Sequence, residues 1–129
     1  MHYKELEVWK EAMDLVKQVY TLTNYYPKDE KFGIVSQIRR SAVSIPSNIA
    51  EGSVKHSDKE TLRFLDIALG FLAELDTQMI ISNDIGYIGK DGIECFQNIG
   101  KQILKVNALL QGFIKYYNKQ VKDNNALVP

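Results

Sequence analysis

The side chains best suited to catalysis or metal binding are few in this sequence. The histidines are His2 and His56, and the single cysteine is Cys95. A di-iron centre in a helical bundle needs two Glu-x-x-His units, but Ser53 stands three residues before His56, and His2 has no such position. His56 is predicted to be solvated and Cys95 to be a packed thiol. With no phosphate-binding glycine loop either, we predict no catalytic site, no metal and no cofactor.

A polar cluster around a proline is the first group of residues that could bind a ligand. One interpretation is structural: short polar side chains satisfy backbone groups that a proline kink leaves free, and they support a subunit contact. The other is a small binding groove, in which an enzyme would hold a substrate near Arg40 and Glu51. The structural interpretation is favoured. The cluster contains Gln37, Arg40, Ser44, Pro46, Ser47, Asn48 and Glu51.

A row of lysines near the C-terminus is the second candidate. Between Glu94 and Asp123 the sequence has no acidic residue. At 100° per residue, five lysines fall opposite Ile99, and the distance from Lys101 to Lys119 is about 27 Å at the helical rise. Such a row either binds the phosphates of RNA or is only a solvated helix face. It contains Lys101, Lys105, Lys115, Lys119 and Lys122.

The overall composition is that of one folded domain. The chain has 129 residues, of which 45% are hydrophobic and 25% are charged, and its formal net charge is zero. This composition excludes the disordered class, and the charge balance excludes a general attraction to polyanions. The N-terminal residues do not resemble a signal peptide, and no stretch is long and apolar enough for a membrane helix. We therefore expect a cytoplasmic protein.

Apolar spacing predicts two helices in the first half of the chain. The second contains Pro46, and because its stripe keeps its phase across the proline, we predict a continuous, kinked helix rather than a boundary at Ser44. Gly52 is predicted to cap this helix. The first stripe is Leu6, Trp9, Met13, Val16 and Tyr20. The second is Ile34, Ile38, Ala42, Ile45 and Ile49.

Two more helices follow. Ser57 with Glu60, and Asp91 with Glu94, have the spacing of helix starts. The third stripe is Leu62, Leu65, Ala68, Leu69, Leu72, Leu75 and Met79. The fourth is Phe96, Ile99, Ile103, Val106, Leu110, Phe113 and Tyr117. We predict an all-α, antiparallel, up-down-up-down four-helix bundle over residues 1–122, with a proline-kinked second helix and a frayed tail over 123–129.

The helices carry more apolar surface than one core requires. Beyond the predicted stripes, helix three adds Phe64, Ile67 and Phe71. Large exposed apolar patches are uncommon in monomers, so these three residues are predicted to form an oligomer interface. Beyond its own stripe, helix one adds the apolar residues Val8, Leu15, Val19 and Leu22.

Two glycines lie inside the predicted helices. Gly70 and Gly112 are predicted to be close-packing points within helices.

A family resemblance accompanies these patterns. The stretch from Ser36 to Gly52, SQIRRSAVSIPSNIAEG, resembles the signature of the S23-type bacterial four-helix bundle proteins that are encoded in intervening sequences of 23S ribosomal RNA genes. Phe32-Gly33 and Gly86-Tyr87 are similar too. The resemblance implies a ring-like homopentamer. It also implies kinship with the accessory protein of diversity-generating retroelements, a pentameric bundle that binds a reverse transcriptase and nucleic acid.

Together the patterns favour a non-enzymatic homo-oligomeric scaffold, which the resemblance makes a pentamer. Its partners are predicted to be RNA or a nucleic-acid enzyme, bound through the lysine row, and no membrane is expected. The alternative is a protein–protein adaptor without a nucleic-acid role, in which surplus apolar surface binds another protein and the lysines keep the assembly soluble.

Overall fold

The computed structural model describes residues 2–126, and its main elements are four α-helices. Helices α1 and α3 each pack against both α2 and α4, so the four helices enclose one core. The chain order and short connections make successive helices antiparallel, which confirms the predicted bundle. The helices are α1 Glu7–Thr23, α2 Ile34–Ser53, α3 Asp58–Asp84 and α4 Ile93–Ala126, with 3₁₀ turns at Tyr3–Glu5 and Lys28–Glu30.

The buried face of α1 is not the one predicted. Trp9, Met13 and Val16 are half-buried and Tyr20 is exposed. The apolar residues of α1 that the sequence placed beyond this stripe are instead fully buried. Both stripes have helical spacing, but the one with smaller side chains fits where four helices meet, whereas the Trp9 ring lies at the edge against Tyr3. The buried face consists of Val8, Ala12, Leu15, Val19 and Leu22.

Helix α2 runs without a break through Pro46, which is buried. This confirms the prediction of a continuous helix, and the alternative of a boundary at Ser44 is wrong. Three side chains hydrogen-bond to carbonyl oxygens four residues earlier in the turns around the proline. The Ser44 hydroxyl donates to Arg40 at 2.7 Å, Ser47 to Val43 at 2.8 Å, and the Asn48 amide to Ser44 at 2.7 Å. These are local helix bonds of short polar side chains.

Gly52 has a different role from the predicted cap. Helix α2 continues to Ser53, and Gly52 is buried against α3. A Cβ atom here would lie 3.0 Å from Phe64 Cβ and 3.2 Å from the carbonyl oxygen of Thr61. The Thr61 hydroxyl donates to the Gly52 carbonyl at 2.8 Å. The glycine therefore lets two backbones approach each other closely.

The starts of α3 and α4 are capped differently. The Ser57 hydroxyl accepts from the Glu60 amide at 3.1 Å, which confirms the predicted cap of α3. Asp91 is not the cap of α4, because the carbonyl of Gly92 accepts the first helical bond from Phe96 at 2.9 Å. A Cβ atom at Gly92 would lie 3.0 Å from Leu22 Cδ1, so the glycine allows a close approach between the start of α4 and Leu22.

Helix α4 follows its predicted stripe and is longer than predicted. Ile99, Ile103, Val106 and Leu110 are buried. The helix extends to Ala126, past residue 122, and residues 127–129 lie outside the described part of the chain. No helix in the described part is both long and apolar enough to cross a membrane.

Gly70 and Gly112 are not close-packing points within the chain. Both are exposed, and nothing lies within 4 Å of a Cβ atom built on either residue.

Candidate functional site

The lysine row occupies the outer face of α4, and all five of its side chains are exposed. Acidic side chains lie close to its first half, which consists of Lys101 and Lys105. Lys105 Nζ lies 3.2 Å from a carboxylate oxygen of Glu11 on α1, and hydrogen bonds from Gln102 and Lys105 lower the pKa of Glu11. Lys101 lines one shallow concavity with Asp91 and Glu94 and another with Asp76. The positive charge of this half is therefore partly neutralised.

The second half of the row is different. Lys115, Lys119 and Lys122 follow one another at steps of four and three residues, which places them on one face of α4. None of the ion pairs found within residues 2–126 involves these three side chains. They span about 10 Å of the helix axis.

The polar cluster does not form a connected network. Its three short side chains bond to the backbone of their own helix, while Gln37 and Arg40 are exposed. Glu51 pairs with Lys55 at 3.2 Å, outside the cluster. None of the three short side chains donates to the Ala42 carbonyl, which is the group that Pro46 leaves without its helical donor. The described contacts bring no two cluster side chains together around a ligand.

The predicted oligomer interface is partly covered by the chain itself. Phe64, Ile67 and Phe71 are half-buried, and Phe71 packs against the core. The Phe64 ring has Arg63 at 4.5 Å and Lys55 at 5.1 Å from its centroid.

More exposed apolar side chains lie elsewhere on α3 and α4. Leu104 of α4 is 70% exposed and lines a concavity with Asp76 of α3, and Ile80 of α3 is 54% exposed. Sequence reasoning missed both, since neither belongs to a periodic apolar stripe.

Sequence reasoning also missed a shallow concavity between the end of α1 and the start of α2. We call it the α1–α2 cleft. It has a volume of about 410 Å³, and none of the described residues that line it is acidic. The set is assembled from three separate segments, so no spacing rule points to it. Its cationic and aromatic side chains are Tyr20, Lys31, Phe32, Arg39 and Arg40.

Residues 4–112 match the family described as 23S rRNA-intervening sequence protein. The chain belongs to this family. The match confirms the resemblance that the Ser36–Gly52 stretch indicated. The kinship with the accessory protein of diversity-generating retroelements stays a prediction.

A solved structure shows the same fold. It is a protein of unknown function from the S23 ribosomal protein family of Bacteroides thetaiotaomicron VPI-5482, with 26% sequence identity and a TM-score of 0.74 to this chain. The alignment covers 84% of this chain and 98% of the other. A search of curated protein sequences gives no match.

In this chain, the side chains that could take part in catalysis or metal binding lie apart from one another. His2 and His56 are exposed. The half-buried Cys95 thiol donates to the Gln18 carbonyl at 3.5 Å, and burial raises its pKa, which disfavours the reactive thiolate. Within residues 2–126, no group of three histidine, cysteine or acidic residues is placed to hold a metal ion.

A cavity lies where residues of all four helices meet at one end of the bundle. It has a volume of about 560 Å³, and its walls include Leu65, Leu109 and Phe113. Of the described residues that line it, only Glu7 is charged, and Ser53, Thr61, Tyr116 and Tyr117 carry hydroxyl groups. The Ser53 and Thr61 hydroxyls donate to backbone carbonyls of α2, and none of the described lining residues is a base hydrogen-bonded to either of them.

Proposed function

We propose that this chain is a cytoplasmic, non-enzymatic scaffold that self-associates and binds RNA through the lysine row of α4. The supporting observation is the exposed set Lys115, Lys119 and Lys122, which no carboxylate pairs with in the described residues. Three cations on adjacent turns suit a phosphate backbone, whose charges are also closely spaced.

Binding of this kind is electrostatic and carries little sequence information. A lysine ammonium contacts phosphates as a point charge and reads no base pattern. The affinity therefore falls as the salt concentration rises, and the slope of log K against log salt is proportional to the number of phosphates contacted. In a homo-oligomer, several copies of the row engage one RNA, and their combined affinity exceeds that of one copy.

The lysine row is tested by charge reversal in a matched pair of variants. Lys115→Glu/Lys119→Glu should weaken binding of a 20-nucleotide RNA about tenfold or more at low salt. It should also reduce the slope of log K against log salt by about 2, because two phosphate contacts are lost. Filter binding across a salt series measures both quantities.

The control is Lys10→Glu/Lys17→Glu on the exposed side of α1, which changes the net charge by the same amount. It should bind nearly as the wild type does. Equal losses in the two variants would mean that only net charge matters, and unchanged binding by the α4 variant would rule out the row.

Self-association is tested by measuring the mass of the protein in solution with light scattering. We expect a homo-oligomer, with five copies implied by the resemblance, and a protomer mass of 14.7 kDa at micromolar concentration would contradict it. Ile67→Glu should shift the mass in light scattering toward the protomer, because Ile67 lies on the predicted interface. We choose it over Phe71, which packs against the core.

Leu104→Glu is the matched comparison for this interface. If Leu104→Glu dissociates the oligomer while Ile67→Glu leaves its mass unchanged, subunits meet around Leu104 of α4, and the Phe64, Ile67 and Phe71 face is not the interface. Circular dichroism of both variants shows whether they remain folded.

One observation favours the alternative, a protein–protein adaptor without a nucleic-acid role. Leu104 and Ile80 are large apolar side chains that the fold leaves exposed, and exposed apolar surface often marks a protein contact. If the chain is such an adaptor, neither the wild type nor Lys115→Glu/Lys119→Glu should bind RNA at low salt.

A further inference from the structure

The α1–α2 cleft concentrates positive charge in a chain whose charges balance. It is lined by Lys31, Arg39 and Arg40, and by no acidic residue among those described. Glu30, the neighbour of Lys31 in sequence, does not line the cleft, and its carboxylate accepts a 2.7 Å hydrogen bond from the Tyr87 hydroxyl. With sixteen basic and sixteen acidic residues in the whole chain, three cations without a facing acid create a local field that attracts anions.

Arg39 is held in place without losing its charge. Its Nε donates to the Thr23 hydroxyl at 2.9 Å, and its Nη2 donates to the Asn24 side-chain oxygen at 3.1 Å. Its guanidinium lies 4.5 Å from the centre of the Tyr20 ring. All three partners are neutral, so the orientation is fixed while the positive charge stays uncompensated. A guanidinium ordered in advance loses little entropy when it binds an anion.

Phe32 lies at the edge of the same cleft and is 89% exposed. An aromatic ring in this position stabilises the fold very little, because almost none of its surface leaves water. Lys31 Nζ lies 5.5 Å from the centre of the ring. An exposed aromatic ring among cations is the combination that binds unpaired bases together with their phosphates.

We infer that the α1–α2 cleft binds single-stranded nucleic acid, with a base stacked on Phe32 and neighbouring phosphates held by Arg39, Arg40 and Lys31. A duplex is disfavoured because its bases are paired and stacked inside and cannot reach the ring. An acidic peptide would satisfy the cations but would leave Phe32 without a stacking partner. The aromatic ring therefore decides in favour of the single strand.

This site is separate from the second half of the lysine row and does not depend on the function proposed for that row. The start of α4 lies near the cleft end of the bundle, since Gly92 packs on Leu22. Lys115 follows 23 residues later, about 35 Å along the helix. Variants at one site therefore leave the other intact.

The test uses a labelled 12-nucleotide single-stranded RNA without secondary structure, and the same sequence as a duplex, in fluorescence anisotropy. Phe32→Ala should weaken binding of the single strand by about 5- to 150-fold, the range for loss of one stacked base, and should leave duplex binding unchanged. Phe32→Trp should retain wild-type affinity. Arg40→Glu should weaken binding and lower the salt slope by about 1.

The matched control is Tyr25→Ala, which removes another exposed aromatic ring at the same end of the bundle but outside the cleft. It should bind as the wild type does. Unchanged binding by Phe32→Ala, or equal losses in Phe32→Ala and Tyr25→Ala, overturns the inference.

Two further results would show that the cleft does not bind single strands. If a poly-glutamate peptide binds as tightly as the RNA and depends on Arg40 but not on Phe32, the cleft binds an acidic protein and the inference is wrong. If Lys115→Glu/Lys119→Glu abolishes single-strand binding while the cleft variants do not affect it, the lysine row alone binds RNA. The cleft inference then fails, and the proposed function stands.

Discussion

Replacing Leu15 with alanine is expected to lower the free energy of unfolding by about 2 to 5 kcal/mol. Leu15 lies on the inner face of α1 and is fully buried. Removing three carbon atoms there leaves a cavity, because neighbours on the other helices close it only in part. Urea unfolding followed by circular dichroism measures the change, at one protomer concentration, since the stability of an oligomer depends on concentration.

The matched control is Met13→Ala, which removes the same number of side-chain heavy atoms from the neighbouring stripe. Met13 is half-buried, so part of its side chain contacts water before and after the change, and we expect a loss of about 1 kcal/mol or less. A larger loss at Met13 than at Leu15 would mean that the sequence-predicted face of α1 is the core after all, or that subunits bury it.

This pair bears on why α1 was assigned the wrong face. Its two apolar stripes adjoin each other, and both recur at steps of three and four residues. Periodicity shows that a helix has an apolar side, but the volume available inside the bundle decides which part of that side is central. Ala12 at the middle of the true face lets neighbouring helices come close, and this requirement depends on residues that are distant in sequence.

Local patterns correctly predicted two other features of the helices. The unbroken stripe across Pro46 correctly indicated one continuous helix, because a proline costs one hydrogen bond while the stripe keeps its burial on both sides. Ser57 and Glu60 correctly marked the start of α3. Each of these features is decided within one or two helical turns, and a sequence displays such information directly.

The features of the candidate sites were harder to predict, since they depend on contacts between helices. The absence of acids between Glu94 and Asp123 suggested an unbroken basic row, but Glu11 of α1 pairs with Lys105 of α4. The α1–α2 cleft draws Tyr20 from one helix, Phe32 from a connection and Arg39 from the next helix. No periodicity unites residues that only tertiary structure brings together.

Replacing Gly52 with valine is expected to destabilise the fold by about 2 to 4 kcal/mol. Overpacking a tight contact costs about 1 to 3 kcal/mol, and the hydrogen bond from the Thr61 hydroxyl to the Gly52 carbonyl contributes about 1 kcal/mol more. The clash involves Phe64 Cβ and a backbone oxygen. Neither can rotate away, so α2 and α3 must move apart. Urea unfolding measures the loss.

Gly70→Val is the control, because it makes the same change in α3 at a position where nothing lies within 4 Å of the added Cβ. Valine is a somewhat better helix former than glycine, so we expect a stabilisation of a few tenths of a kcal/mol, roughly. A loss at Gly70 as large as at Gly52 would mean that another subunit packs there, which a smaller mass in light scattering would show. If both variants are as stable as the wild type, the close approach of α2 and α3 does not require a glycine at position 52.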